Sequence, residues 1–559
     1  MDDLQGVGVS AGIGVGPALR VVDTVPEPPS GANADDPDTE AQTALTALEA
    51  VAVDLDDRGQ RAGGEAQEVL EAQAMMARDP SLAEDIRSRT KAGATAARAT
   101  YDAFGAFREI LAGAGDYLAA RVADLDDIRD RAVARLLGIA APGVPQLGSP
   151  VVLIARDLAP ADTALLDPTL VRAFVTEQGG PTAHTAILAR TLGVPAVVAC
   201  PGATAIPDGV SVLVDGGTGA VRIDPSDSDV SEALAKADRL RAALAGASSG
   251  PGATADGYRV SLYANVGGPA DVPAAVAAGA EGVGLFRTEL SFLDRSDAPT
   301  EDEQAALYGE VLSGFPGKRV VVRVLDAGAD KPLPFLPHGE EPNPALGVRG
   351  LRILQAQPDI LRTQLGALRR AAAETGAELA VMAPMVADAA EAAWFAAACR
   401  EAGLPGPVGV MVEIPSAALR AREILGAVDF LSIGSNDLAQ YAFAADRQVG
   451  AVAHLQDPWQ PALLDLIAGA AEAARAAEQP CGVCGEAAAD PALGCVLVGL
   501  GVTSLSMTAG AIAGVLAALG AHTTQQCAAA AAAARAASSA ADARAAARSE
   551  LPELAALGL

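Results

Sequence analysis

His184 is one of four histidines in 559 residues, and it sits in the run Gly179-Gly180-Pro181-Thr182-Ala183-His184-Thr185-Ala186-Ile187-Leu188-Ala189-Arg190. A Gly-Gly turn, Thr182 as a cap and the apolar stripe Ile187, Leu188 and Leu192 predict a helix beginning at the histidine, just after a strand over 171–176. The start of a helix offers unpaired N–H groups and a positive dipole, a natural seat for phosphate. The same field disfavours imidazolium, so the ring reads as a neutral nucleophile near pH 7. The alternative reading is a histidine that only caps or packs its helix.

A second set of residues stands at the ends of apolar strand patterns: Arg287 in GLFRTE, Arg323 with Asp326 in VVRVLD, Glu413 in MVEIP, Asn436 and Asp437 in GSNDLAQY, Arg447 ten residues on, and Cys484 in CGVCGE. Arginine is a permanently charged fork suited to phosphate and carboxylate. Two carboxylates on neighbouring strands suit Mg²⁺, which keeps waters and takes substrate phosphate oxygens as further ligands. Cys484, as a protonated thiol, reads either as an acid beside an enolate or as a small buried apolar residue. Glu413 and Arg323 are alternatively structural ion pairs, a reading that suits Arg349 and Arg352 better.

Positioning these groups requires two kinds of scaffold. Short β-rich stretches at 7–22 and again beyond Pro142, with strands near 150–155, 171–176, 196–199 and 211–214, flank a helical block from about Glu40 to Leu137. The block therefore reads as an insertion into one small α/β domain. Residues 229–244 predict a helix, and the Gly/Ser/Pro-rich run Gly246 to Gly257 predicts a hinge. Eight strand candidates then alternate with helices: 260–266, 282–286, 319–325, 379–384, 408–412, 430–433, 482–483 and 504–507. Their number and βα order favour a (β/α)₈ barrel over a doubly wound sheet. From about Ala521 the alanine-rich tail reads as helical or fraying and carries no chemistry.

Bulk properties narrow the partners. Forty basic against 70 acidic residues give a net charge of −30, which disfavours nucleic acid and anionic membranes and suits a basic protein. Aromatic content of 3% against 50% hydrophobic residues implies interiors filled by alanine, valine and leucine. Six scattered cysteines do not read as a disulfide framework, and the lone pair Cys481–Cys484 lacks the partners of a zinc site. The acidic start Met1-Asp2-Asp3 and the lack of a long apolar run predict a soluble, cytoplasmic chain.

From Gly6 to Leu519 the sequence resembles Enzyme I of the bacterial phosphoenolpyruvate:sugar phosphotransferase system. The resemblance rests on GVSAGIGVGPAL, GGPTAHTAILAR, the DxGxDK segment Asp326 to Lys331, NPALGVRGLR, GVMVEIPSA and FLSIGSNDLAQY, in the family's order. It implies an α/β multidomain chain: a swivelling phosphohistidine α/β domain (1–25 and 141–225), an inserted α-helical HPr-binding subdomain (26–140), a linker helix and hinge (226–257), a C-terminal (β/α)₈ TIM-type barrel (258–520) and the tail (521–559). It further implies that His184 takes a phosphoryl group from phosphoenolpyruvate and passes it to the carrier HPr. By the same resemblance Mg²⁺ is held by Glu413 and Asp437. The substrate is held by Arg287, Arg323, Asn436, Asp437 and Arg447, and Cys484 protonates the enolate. Thr163 contacts the active histidine. Glu65, Glu68, Glu71, Met75, Met76 and Arg121 lie on the carrier-docking surface, and the barrel forms a homodimer. Two departures stand out. Pro181 and Ala183 replace a basic residue and a serine, which removes one charge-assisted contact to a phosphohistidine. SMTAGAIAG lacks a proline after the eighth strand.

Two other functions compete. A dikinase or phosphoenolpyruvate synthase needs a nucleotide-binding domain, and no such segment precedes Gly6. A regulatory scaffold that has lost catalysis would not keep every charged residue at the barrel mouth.

Overall fold

The computed structural model describes the chain apart from residues 1–2, 11, 22–24, 31–35, 63–69, 71–72, 113–121, 140–141, 146, 159–165, 181–183, 247–249, 294, 330, 337–340 and 447–448. It divides into two compact units, Met1–Leu234 and Ala235–Leu559.

In the first unit, strands from both sides of the helical block share one sheet. These are β1 (Leu4–Gln5), β2 (Val7–Ser10), β3 (Ile13–Arg20), β4 (Val151–Ala155), β5 (Val171–Thr176), β6 (Ala196–Val198), β7 (Ser211–Asp215) and β8 (Ala220–Ile223). Their order is β1-β8-β7-β3-β4-β5-β6-β2. The central strands β3 to β6 run parallel, and β4 is buried along its whole length, as near-continuous apolar runs require. The inserted helices Pro37–Ala62, Pro80–Lys91, Ala96–Ala112 and Val122–Leu137 enclose a separate core around Leu48, Leu55, Leu82, Ile86, Phe104 and Ile128. Pro80 opens its helix at the one turn where a missing N–H costs nothing, and Asp79 caps it through Ser81 N at 2.7 Å.

In the second unit, β9 (Ser261–Val266), β10 (Gly282–Arg287), β11 (Arg319–Arg323), β12 (Glu378–Ala383), β13 (Val408–Val412), β14 (Phe430–Ile433), β15 (Cys481–Val483) and β16 (Ser504–Met507) close into an all-parallel barrel, with β16 pairing β9. All eight predicted strands are present. The interior of the barrel is filled by Leu285, Val321, Ala380, Met382, Met411, Phe430 and Cys484. Gly409 is required there, because a Cβ at that position would lie 2.5 Å from the Phe430 ring.

One expectation changes and one alternative is resolved. The run read as a flexible hinge is fastened to the barrel over its second half. Gly252 N–H donates to Glu281 Oε1 at 2.9 Å, and Asp256 accepts from Thr254 and Thr524, whose hydrogen bonds pull its carboxyl down to about 2. Of the two readings of the tail, the helical one holds. Helices Thr524–Arg535, Ala540–Ser549 and Glu553–Leu557 bury Cys527, Ala530, Ala534, Ala543, Ala547 and Leu554 in the barrel's outer core, joined there by Leu551 from the link before the last helix. Alanine lets these helices approach closely, so a composition that looks unanchored supplies packing. Accordingly, Leu551→Ala, at 1% exposure, lowers the stability of this unit by about 2–5 kcal/mol. Chemical denaturation checks this; a change below about 0.5 kcal/mol is the surface-residue outcome.

Candidate active site

The C-terminal strand ends converge on a buried charge network. Arg323, the last residue of β11, is 4% exposed and pairs with Glu289 and, at 3.1 Å, with Asp326. Asp326 is fully buried and also takes Lys331 Nζ at 2.9 Å and two donors of Arg349 at 3.0 and 3.1 Å. Burial alone would raise its carboxyl; Arg323, Lys331 and Arg349 overcome that and hold it well below the usual range. Burial likewise works against the Arg323 guanidinium, and Glu289, Asp326, Glu413 and Asp437 reverse it, so its charge is held more firmly than usual. Arg287 ends β10, half-buried, and makes no hydrogen bond or ion pair among the described residues. It is left available for an anion.

Glu413 follows β13, and Asp437 lies in the first turn of helix Ser435–Phe443 after β14. One Glu413 oxygen accepts from Met385 N–H at 2.6 Å, while Oε2 is buried with no hydrogen-bond partner. Gly434 preserves the space beside it, since a Cβ there would lie 2.7 Å from Oε2. Asp437 Oδ1 stands 3.2 Å from an Arg349 nitrogen. Burial first, then Asp437 and Asp326, push the Glu413 carboxyl up to about 7. A buried carboxylate oxygen without a partner, next to a second carboxylate, fits a hard divalent cation that completes its shell with water and substrate oxygens. Among the described residues no group of three or more His, Cys, Asp or Glu side chains is placed to hold a metal ion.

Cys484, 2% exposed, follows β15 and directs its sulfur to the Ile433 carbonyl at 3.5 Å. Burial, only partly offset by a Ser432 hydrogen bond, pushes the thiol up to about 11, so it carries its proton at neutral pH. Asn436 Oδ1 accepts from Glu486 N–H at 3.1 Å, fixing the side chain over the β14–β15 rim. Asn265, at the end of β9, donates to the carbonyls of Cys484 at 3.0 Å and Ser506 at 3.3 Å. The barrel thus brings Arg287, Arg323, Glu413, Asn436, Asp437 and Cys484 to one end.

The other residues singled out in the sequence are less completely described. His184 opens helix His184–Leu192 after β5, and Gly179 in the preceding turn has φ +91°, a left-handed conformation that glycine adopts freely. The His184 side chain, and Thr163, Arg447, Glu65, Glu68, Glu71 and Arg121, lie outside the described residues. Met75 is 68% exposed, and Met76 packs against the helical core. Glu289, Lys331, Asn265 and Ser432 were not weighed from sequence. Glu289 stood within GLFRTE and Lys331 within DxGxDK, but only their partners reveal their part. Arg349 is the ion-pair residue expected, at the centre of the site. Among the described residues no helix is long and apolar enough to cross a membrane.

Three family matches cover most of the chain: the N-terminal domain of PEP-utilising enzymes over residues 5–121, their mobile domain over 147–219 and their PEP-binding domain over 241–523. A phosphoenolpyruvate-protein phosphotransferase of Streptomyces coelicolor is 64% identical over 98% of this chain and 99% of its own length. Proteins of the same name from Bacillus subtilis and Haloferax volcanii are 38% and 40% identical, each over 92% of this chain and 93% and 94% of their own.

Proposed function

Because the chain belongs to the PEP-utilising enzymes and, within them, to the Enzyme I family of phosphoenolpyruvate-protein phosphotransferases, we propose that it moves a phosphoryl group from phosphoenolpyruvate to His184 and from there to an HPr-type carrier protein. The observation that carries this reading is the barrel-end network: unengaged Arg287 and firmly charged Arg323 beside Glu413 with an unsatisfied oxygen and a protonated Cys484. In a low-dielectric site such fixed charges stabilise the moving phosphoryl group without reorganising.

Glu413 and Asp437 hold the divalent cation, which we assign as Mg²⁺ from its all-oxygen donors; bound, it neutralises phosphate charge. Arg287, Arg323 and Arg447 orient phosphate and carboxylate, and Asn436 lies against the enol. His184 Nε2 takes the phosphoryl group, the enol oxygen leaves as an enolate, and Cys484 gives its proton to the terminal carbon, releasing pyruvate. Because His184 and the barrel lie in different units, the units meet for this step and part for delivery. Exposed Met75 and the net charge of −30 support docking of a basic carrier on the helical insertion, with Thr163 supporting the phosphorylated ring. Six buried free thiols support a reducing, cytoplasmic setting.

The test is incubation with radiolabelled phosphoenolpyruvate and Mg²⁺. An acid-labile, base-stable label on His184 that chases to purified HPr is the expected result. No protein-bound label favours a scaffold.

Cation binding must also displace the proton that Glu413 holds with a value of about 7. Below that pH the carboxyl is neutral and resists the ion; above it the oxygen is free. The apparent Mg²⁺ affinity therefore falls roughly tenfold per pH unit below neutrality, measured by calorimetry from pH 5.5 to 8. A flat profile places the ion elsewhere.

A further inference from the structure

Among the described residues five that are not glycine have a left-handed backbone: Ala199, Asp224, Met385, Ala444 and Glu478. Ala199, Asp224, Ala444 and Glu478 donate their N–H to main-chain carbonyls, those of Gln178, Ser211, Gln440 and Arg475 in turn. Met385 differs. At φ +56° it is the one of the five whose N–H goes to a side-chain carboxylate, reaching Glu413 Oε1 at 2.6 Å.

Methionine has no short polar group to ease that conformation, as asparagine and aspartate have. Such strain persists only where the surroundings over-determine it, and here two neighbouring loops do so. The Met385 side chain is 1% exposed. Gly350, beyond β11, makes room for it, since a Cβ there would lie 3.0 Å from Met385 Cγ. Tyr441, in helix Ser435–Phe443, brings its hydroxyl 4.0 Å from the sulfur. That hydroxyl is itself fixed, donating to the Ala345 carbonyl and accepting from Arg349 at 3.3 Å.

The bond matters because little else orients Glu413. The last torsion of a glutamate side chain has no sharp preference of its own. The residue is fully buried, and among the described residues the Met385 amide is the one hydrogen-bond donor to its carboxylate.

We propose that Met385 is a positioning residue for the cation site: its left-handed backbone aims the N–H at Glu413 Oε1, which presents Oε2 beside Gly434 to the ion. The inference rests on the reading of Glu413 as a cation ligand. A main-chain donor satisfies one oxygen and fixes the plane of the carboxylate, so the other meets the ion without a search over rotamers. Outer-shell partners of metal ligands are typically worth roughly 10–100-fold in affinity.

The test separates the backbone from the bulk of the side chain. Full-length enzyme is titrated with Mn²⁺, which suits the same oxygen ligands as Mg²⁺, and electron paramagnetic resonance reads the free ion. Met385→Gly loses the side chain but enters the left-handed region freely. Met385→Ala loses it too and resists that region, and Met385→Ile keeps most of the volume but resists it more strongly because its Cβ is branched. The expected pattern is near wild-type Mn²⁺ affinity in Met385→Gly, with a loss of about tenfold or more in Met385→Ala and Met385→Ile. Should Met385→Ile not fold, the alanine and glycine variants decide between them, since they differ by one methyl group. Affinity that follows volume, with Met385→Ile near wild type and the two small variants equally weak, overturns the proposal. Equal affinity in all four proteins overturns it as well. Glu413→Gln tests the underlying reading: wild-type Mn²⁺ affinity in that variant would overturn the assignment of the ligand itself.

Discussion

His184→Ala enzyme takes up no phosphoryl group and passes none to the carrier. Removing an essential nucleophile typically costs on the order of 10⁶ in rate when the remaining site is intact. The loss is confined to chemistry. His184 opens a helix in the unit Met1–Leu234, whereas the charge network belongs to Ala235–Leu559, so the variant still binds phosphoenolpyruvate and Mg²⁺. Calorimetry should return near wild-type affinity for both, while labelled substrate leaves the protein unlabelled. A residual label on another side chain, at a rate within about tenfold of wild type, would refute the assignment of the acceptor.

Arg323→Met has the second large effect, and it acts twice. Catalytically, loss of one guanidinium from a phosphoryl-transfer site costs roughly 10³–10⁵ in turnover. Structurally, Glu289 and Asp326 lose their shared cation inside the barrel, and breaking a buried ion pair from one side costs about 3–5 kcal/mol. The two losses are separable. Adding Glu289→Gln removes one of the stranded charges and restores part of the stability without restoring turnover. Arg323→Lys keeps charge but cannot bridge Glu289 and Asp326 at once, so it recovers stability better than activity. Thermal unfolding and pyruvate release, measured on the same preparations, distinguish these outcomes. If the double variant regains activity along with stability, Arg323 is a structural ion pair only.

The barrel was readable because buried parallel strands appear as short, nearly continuous apolar runs; 408–412, 430–433 and 504–507 were delimited to the residue. β8 was not anticipated, since Ala220–Ile223 is four residues with an outward Arg222 and its only support is pairing to β7 and β1. The second half of the presumed hinge was misread, and the anchoring of the helical tail was not foreseen, for one reason. Composition reports what a segment does alone, whereas Gly252 is held by Glu281 and Asp256 by Thr524, the latter 268 residues away. The site followed the same rule. Residues at strand ends, such as Arg287 and Glu413, were visible because their address in a barrel is informative. Glu289, Lys331, Asn265 and Ser432 acquire meaning only from neighbours distant in sequence.

Closure of the barrel has a consequence for biosynthesis. Its first strand hydrogen-bonds its last, Ser261 facing Ser504, so about 240 residues must leave the ribosome before that seam can form. At ~5–20 residues per second this leaves β9 with a bare edge for roughly 12–50 s. Over that interval an apolar ribbon with unpaired amides is open to wrong partners. Nascent chains of this protein should therefore depend on chaperone cover during the second half of translation, well after the amino-terminal sheet has all its strands.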